Sequence, residues 1–149
     1  MTGTNHGMTG ALVAIAIRQP YLALPVAFAS HFLCDALPHF GFKDQDVFKN
    51  KFNIVLGLDF GTALVAMAIM GVLYPSQAGL VWACMILAAS PDLMWLYYRG
   101  YIERIKFQPL VLDPISRFHA WVQWSQTLPG LIVEVAWFIL TGTIILLVR

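Results

Sequence analysis

Charge is scarce in this chain. Asp, Glu, Lys and Arg make up 11% of its 149 residues and nearly cancel, to a formal net charge of +1. That balance supplies neither the basic surface that nucleic-acid binding demands nor a field that would draw in an acidic partner. Cysteine is limited to Cys34 and Cys84, both inside apolar segments. This argues against a disulfide framework, a CxxC redox pair or a Cys-based zinc motif, and favours two buried small hydrophobes. P-loops, dinucleotide fingerprints and Gly-x-Ser-x-Gly elbows are absent, as are internal repeats and low-complexity tracts. Met1–Gly7 has no basic n-region and no cleavage signal follows it, so this segment is expected to be retained.

Hydrophobic residues fill the space that charge leaves. They reach 59% of the chain, with a mean hydropathy of +0.71. A soluble domain of this size is rarely so apolar, and long apolar runs point to membrane helices. The expected architecture is one all-α integral-membrane domain over residues 1–149: a polytopic helical bundle of about five segments with an interfacial helix. The segments are Asn5–Ile17, Pro20–Leu37, Phe52–Leu73, Gln77–Tyr98 and Pro129–Val148. Arg18-Gln19-Pro20 is polar, and Pro20 suits a first helical turn, so the first two segments read as a tight hairpin and not one kinked span. Segment one is then shorter than the ~20 residues of a full span, and needs either bilayer thinning or a protein surround.

Two polar stretches separate the spans. Gly41–Lys51 reads as a charged loop. Within Arg99–Gln126, Asp113-Pro114 is a helix cap followed by proline at the first helical position. The helix it starts, Pro114–Gln126, carries Phe118, Trp121 and Trp124, side chains that favour the membrane interface.

Helical rise, about 1.5 Å per residue, sets the depth of each polar side chain. His6 starts the first helix, and the second returns His31 and Asp35 to the same level. Asp59 lies about two turns into the third helix, Asp92 near the end of the fourth, and Glu134 just inside the fifth. His119 belongs to the surface helix. All four histidines therefore share one side with Asp35, Asp59, Asp92 and Glu134. Lys43, Lys49, Lys51, Arg99, Arg104, Lys106 and Arg117 lie on that side too, against Arg18 and Arg149 opposite. The positive-inside rule then turns the site to the cytoplasmic face of the cell (inner) membrane.

Ionisable groups in hydrocarbon cost ~2.5–3.5 kcal/mol each on insertion scales, and need partners. His31 and Asp35, four apart, stack on one helical face and suit a divalent ion: zinc, manganese or iron. His6 and Asp92 join them by depth, and His39 is a further candidate, although Pro38 turns it from that face. Glu134, Asp59 and His119 are candidate proton acceptors. Each also has a bland alternative: an interhelical hydrogen bond for Glu134 and Asp59, an interfacial histidine for His119.

His6-Gly-Met-Thr-Gly10, Ser30-His-Phe-Leu-Cys-Asp35-Ala-Leu-Pro-His39 and Ser90-Pro-Asp92 resemble the predicted membrane-bound metal-dependent hydrolases. These are small multi-helix bacterial proteins likened to zinc-dependent phospholipase C. The resemblance covers the first ~100 residues and implies His6, His31, Asp35 and Asp92 as metal ligands, with His39 as a further one. The chain departs from that pattern after Asp92, where Leu-Met-Trp replaces Asp-x-Asp-His, and it lacks a later His-Arg-Gly-x-x-His element. The expected activity is hydrolysis of a phosphoester in a lipid or other amphiphile, with membrane lipid as partner and the oligomeric state left open. Alternatives are an ion- or proton-coupled transporter, which the apolar far halves of the helices disfavour, and a non-catalytic scaffold or subunit.

Overall fold

The computed structural model describes residues 1–41, 45–103 and 111–149, without the side chains of 45–53, Arg99 and Glu103. It is mostly helical and all-α. The helices are α1 (Gly3–Ile17), α2 (Pro20–Ala36), α3 (Gln45–Leu73), α4 (Ala78–Ala89), a one-turn α5 (Leu93–Trp95), α6 (Pro114–Val122) and α7 (Gly130–Leu147). Among the described residues, three stretches are long and apolar enough to cross a membrane: Ile54–Leu73, Pro75–Ile102 and Gly130–Leu147. The second combines α4, the 3-10 turn Ser90–Asp92, α5 and a π-helical stretch, Leu96–Glu103. Helix α3 begins at Gln45, so 45–51 are helical where a loop was expected. Lys43, Arg104 and Lys106 of the charge count lie outside the described residues, as do the side chains of Lys49, Lys51 and Arg99.

Helix α1 is the centre of the bundle, packed on α4, α2, α3 and α7. Its composition explains why. Gly7, Gly10, Ala11 and Ala14 leave almost no side-chain thickness, so neighbouring backbones can come close. A Cβ on Gly10 would run into the Cys84 carbonyl and stand 2.9 Å from Ala88 Cβ. The facing stripe of α4, Val81, Cys84, Met85 and Ala88, is fully buried. A helix of 15 residues therefore sits inside protein, the second of the two solutions its shortness required. Gly10→Leu is expected to lower the thermal unfolding temperature in detergent markedly, since overpacking costs ~1–3 kcal/mol. Gly57→Ala is the control, because a Cβ on Gly57 meets nothing within 4 Å among the described residues.

The hairpin reading of the first two helices holds. Arg18 closes α1 in the left-handed region (φ 57), its N–H donating to the Ala14 carbonyl at 2.9 Å, and Pro20 opens α2. A two-residue parallel pairing, His39–Phe40 (β1) with Gln126–Thr127 (β2), joins the chain leaving α2 to the chain entering α7. Gly130 is obligatory beside it: a Cβ there would overlap the His39 carbonyl.

Candidate metal centre

Three helices and one turn converge at the N-terminal end of α1. Helix α2 presents His31 and Asp35 one turn apart, as their spacing predicts, and both are fully buried. Pro91 turns the end of α4 so that Asp92 points at them. Helix α6 contributes His119, and its placement follows from its cap. Asp113 accepts from the N–H groups of Ile115 (2.9 Å) and Ser116 (3.2 Å), and from Tyr98 Oη (2.7 Å). Hydrogen bonds from the Ser116 and Tyr98 hydroxyls hold this carboxyl well below the usual carboxylate range. So anchored, α6 turns Ser116, His119 and Val122 inward and exposes Ile115, Phe118 and Trp121.

His31, Asp35, Asp92 and His119 each offer one donor atom, and these four atoms lie within 4.8 Å of one another. Asp35 is the hub. Its Oδ2 lies 3.2 Å from His31 Nε2, 3.0 Å from His119 Nε2 and 3.0 Å from the Gln123 amide nitrogen. Its Oδ1 accepts from His6 Nε2 at 3.0 Å and from the Met1 α-amino group. Asp92 Oδ1 stands 3.8 Å from His31 Nε2 and 3.6 Å from His119 Nε2. Those gaps are too long for hydrogen bonds.

The hydrogen-bond network fixes where the lone pairs point. The Ala88 carbonyl can only accept, so His31 donates from Nδ1 (2.8 Å) and its Nε2 faces the cluster. His119 Nδ1 faces the thioether sulfur of Met94 at 3.1 Å, and the Gln123 amide lies 3.3 Å from its Nε2. With both Nδ1 atoms protonated, two Nε2 lone pairs would meet head-on at 2.8 Å. A shared proton or a cation removes that repulsion. For a tetrahedral ion with bonds of ~2.1 Å, donor atoms lie roughly 3.4 Å apart. Five of the six separations among these donors, 2.8 to 3.8 Å, bracket that spacing, and the sixth, between the two carboxylates, lies within 4.8 Å. An outer partner on the far ring nitrogen is also what metal-binding histidines commonly have. The residues fit a divalent ion.

Aromatic rings wall the cluster. His6 stacks on His31 (centroids 3.9 Å apart), and Phe32 meets both His31 (5.2 Å) and His119 (5.7 Å) edge-on. Asp35, His6, His31 and His119 are all but sealed, whereas the Asp92 side chain is 27% exposed. Asp92 is therefore the opening.

Of the other expected site residues, His6 adjoins the four, whereas His39, Asp59 and Glu134 have other partners. His6 touches the cluster through Asp35 and reaches 3.7 Å from Asp92 Oδ2. His39 donates from Nδ1 to the Leu37 carbonyl at 2.8 Å; burial, chiefly, holds its imidazole below the usual histidine range, and its Nε2 has no partner among the described residues. Asp59 and Glu134 grip the start of α1. Asp59 accepts from Gly3 N–H (2.7 Å), Thr4 N–H (2.9 Å) and Thr4 Oγ1 (2.8 Å). Glu134 accepts from Thr2 N–H (3.0 Å), Thr2 Oγ1 (2.7 Å), Asn5 Nδ2 (2.6 Å) and Phe40 N–H (3.3 Å). Carboxylates at a helix N-terminus also favour its dipole. Sequence reasoning missed Gln123, one turn beyond His119, and placed His119 among proton acceptors and not among donors to an ion. The His119/Gln123 spacing of four, behind the Asp113-Pro114 cap, was the available signal.

Compared with protein families, curated proteins and solved structures, the chain matches none.

Proposed function

We propose that this protein is a membrane-embedded, metal-dependent hydrolase that cleaves a phosphoester of a lipid or other amphiphile. The observation that carries the reading is the donor set: two imidazole lone pairs and two carboxylates around one point, in a chain with three membrane-length helices. The resemblance to membrane-bound metal-dependent hydrolases supports the same class. His31, His119, Asp35 and Asp92 would hold the ion, with zinc favoured by the His/carboxylate mixture and manganese or iron as alternatives. Such an ion, when bound, supplies Lewis acidity toward a phosphoryl oxygen and acidifies water.

The protein's own groups divide the remaining tasks. Asp92, the partly exposed carboxylate of the cluster, meets an incoming headgroup first. Exposed Phe118 and Trp121 lie in line with Phe32, an apolar wall suited to the tail of an amphiphile. Gln123 holds Asp35 and His119 in register. Of the three expected proton acceptors, His119 faces the cluster; Asp59 and Glu134 act at one remove, by holding α1 and with it His6. The α1–α2 hairpin, α3, the Pro75–Ile102 stretch and α7 would make five membrane segments, with α6 lying in the interface. The surplus of Lys and Arg at the site end favours the cytoplasmic side of the cell (inner) membrane.

A second reading, polar glue between helices, draws on Asp35, whose two oxygens both have protein donors. Elemental analysis of protein purified in detergent, without a His-tag or chelator, separates the two. The hydrolase reading expects a stoichiometric transition metal and chelator-sensitive release of headgroup or phosphate from phospholipid vesicles. Metal-free protein without that activity leaves the glue.

A further inference from the structure

Each of the two central carboxylates shows one oxygen to His31 and His119 and the other oxygen to His6. Asp35 turns Oδ2 toward His31 and His119, and Oδ1 toward His6 Nε2 at 3.0 Å. Asp92 turns Oδ1 toward the same pair, and Oδ2 toward His6 Nε2 at 3.7 Å. The two distances at the His6 end straddle the roughly 3.4 Å expected between donors on one tetrahedral ion. His6 is fully buried, and its ring lies parallel to His31 at 3.9 Å, so both Nε2 atoms reach the same carboxylates side by side.

From this geometry we propose that the centre takes two divalent ions, with Asp35 and Asp92 bridging them and His6 the terminal protein ligand of the second. The proposal rests on the reading of the four-residue cluster as a metal site, and adds a neighbouring site to it. Carboxylates that bridge through opposite oxygens commonly hold ions ~3.5–4 Å apart. The two positions are unequal. His31 and His119 have partners on Nδ1, the Ala88 carbonyl and the Met94 sulfur, whereas His6 Nδ1 is buried without one among the described residues. Binding through Nε2 would leave the His6 Nδ1–H unpaired, and the Met1 amino group competes for Asp35 Oδ1. Absent outer partners commonly weaken metal affinity 10–100-fold, so the His6 ion is held more weakly by roughly that factor.

Manganese(II) titrated into the detergent-solubilised full chain, stripped first with chelator and free of any His-tag, tests this. Two ions per chain in two affinity classes are expected, with the electron paramagnetic resonance signature of a coupled pair at saturation. His6→Ala should bind one ion, at the tight position, and lose the coupling signal. His6→Gln, which keeps an amide near Asp35, should do the same and guards against a variant that merely misfolds; circular dichroism and size-exclusion elution verify both. A single ion in the parent chain overturns the second site and leaves the first intact. No bound ion overturns both readings. Two coupled ions that survive both folded His6 variants overturn the assignment of His6.

Discussion

The double variant His31→Ala/Asp35→Ala is expected to bring bound transition metal to background and to abolish chelator-sensitive hydrolysis together. Both residues would supply donors to the proposed first ion, and the Asp35 carboxylate also orients the other two imidazoles. His119 Nε2 and His6 Nε2 each lie 3.0 Å from that carboxylate. Losing it leaves two histidines, an amide and an amino group without their shared acceptor. Removing one partner from a fully buried charged cluster commonly costs about 3–5 kcal/mol. Asp35→Ala alone should therefore lower thermal stability sharply, whereas His31→Ala, which removes one ring and one bond to Ala88, should lower it less. Metal content is read by elemental analysis and stability by thermal unfolding in the same detergent. If metal content and stability both stay at the parent level in the double variant, the cluster is not a metal centre.

Glu134→Ala should be nearly as damaging, for a different reason. The residue is 3% exposed and accepts from Thr2, Asn5 and Phe40, tying α7 to the start of α1 and to β1. Hydrogen bonds to a charged group contribute ~1.5–3 kcal/mol each, and buried donors left unpaired add their desolvation cost. Several kcal/mol are at stake, though the surroundings will relax in part. Glu134→Gln separates the structural role from proton transfer. An amide still offers one oxygen to Thr2 or Asn5, so a structural Glu134 is partly rescued by Gln in both melting temperature and hydrolysis. A proton-accepting Glu134 would instead give a stable Gln variant with hydrolysis near background at every pH. The grip of Glu134 on α1 favours partial rescue.

Much of this arrangement was legible because helices convert residue number into depth. His31 and Asp35 sit on one face by spacing alone, and the polar turn at Arg18-Gln19-Pro20 forced α1 and α2 to fold back, which carried His6 to Asp35. Depth, however, gives no azimuth. It placed Asp59 and Glu134 at the right level but could not tell that they point at the α1 N-terminus, past the cluster. Pro38 takes His39 into an extended pair with Gln126 and Thr127, a long-range contact without a local signature. Gln123 shares a helix face with His119 by its spacing of four, but an amide at a helix end has many uses, and only the approach of α6 to α2 selects one.

The enclosure of α1 sets an order on assembly. This helix precedes α4 and α7, against which it is buried, by a long stretch of chain. Until α4 arrives, Gly7 and Gly10 lack the Met85, Cys84 and Ala88 they face, and until α6 arrives Asp35 lacks one of its three imidazoles, His119. His119 reaches its place only after α6 is capped, and Glu134 closes on Thr2 only with the last helix. The four-residue cluster is thus complete only once α6 has docked, long after α1 and α2 have paired.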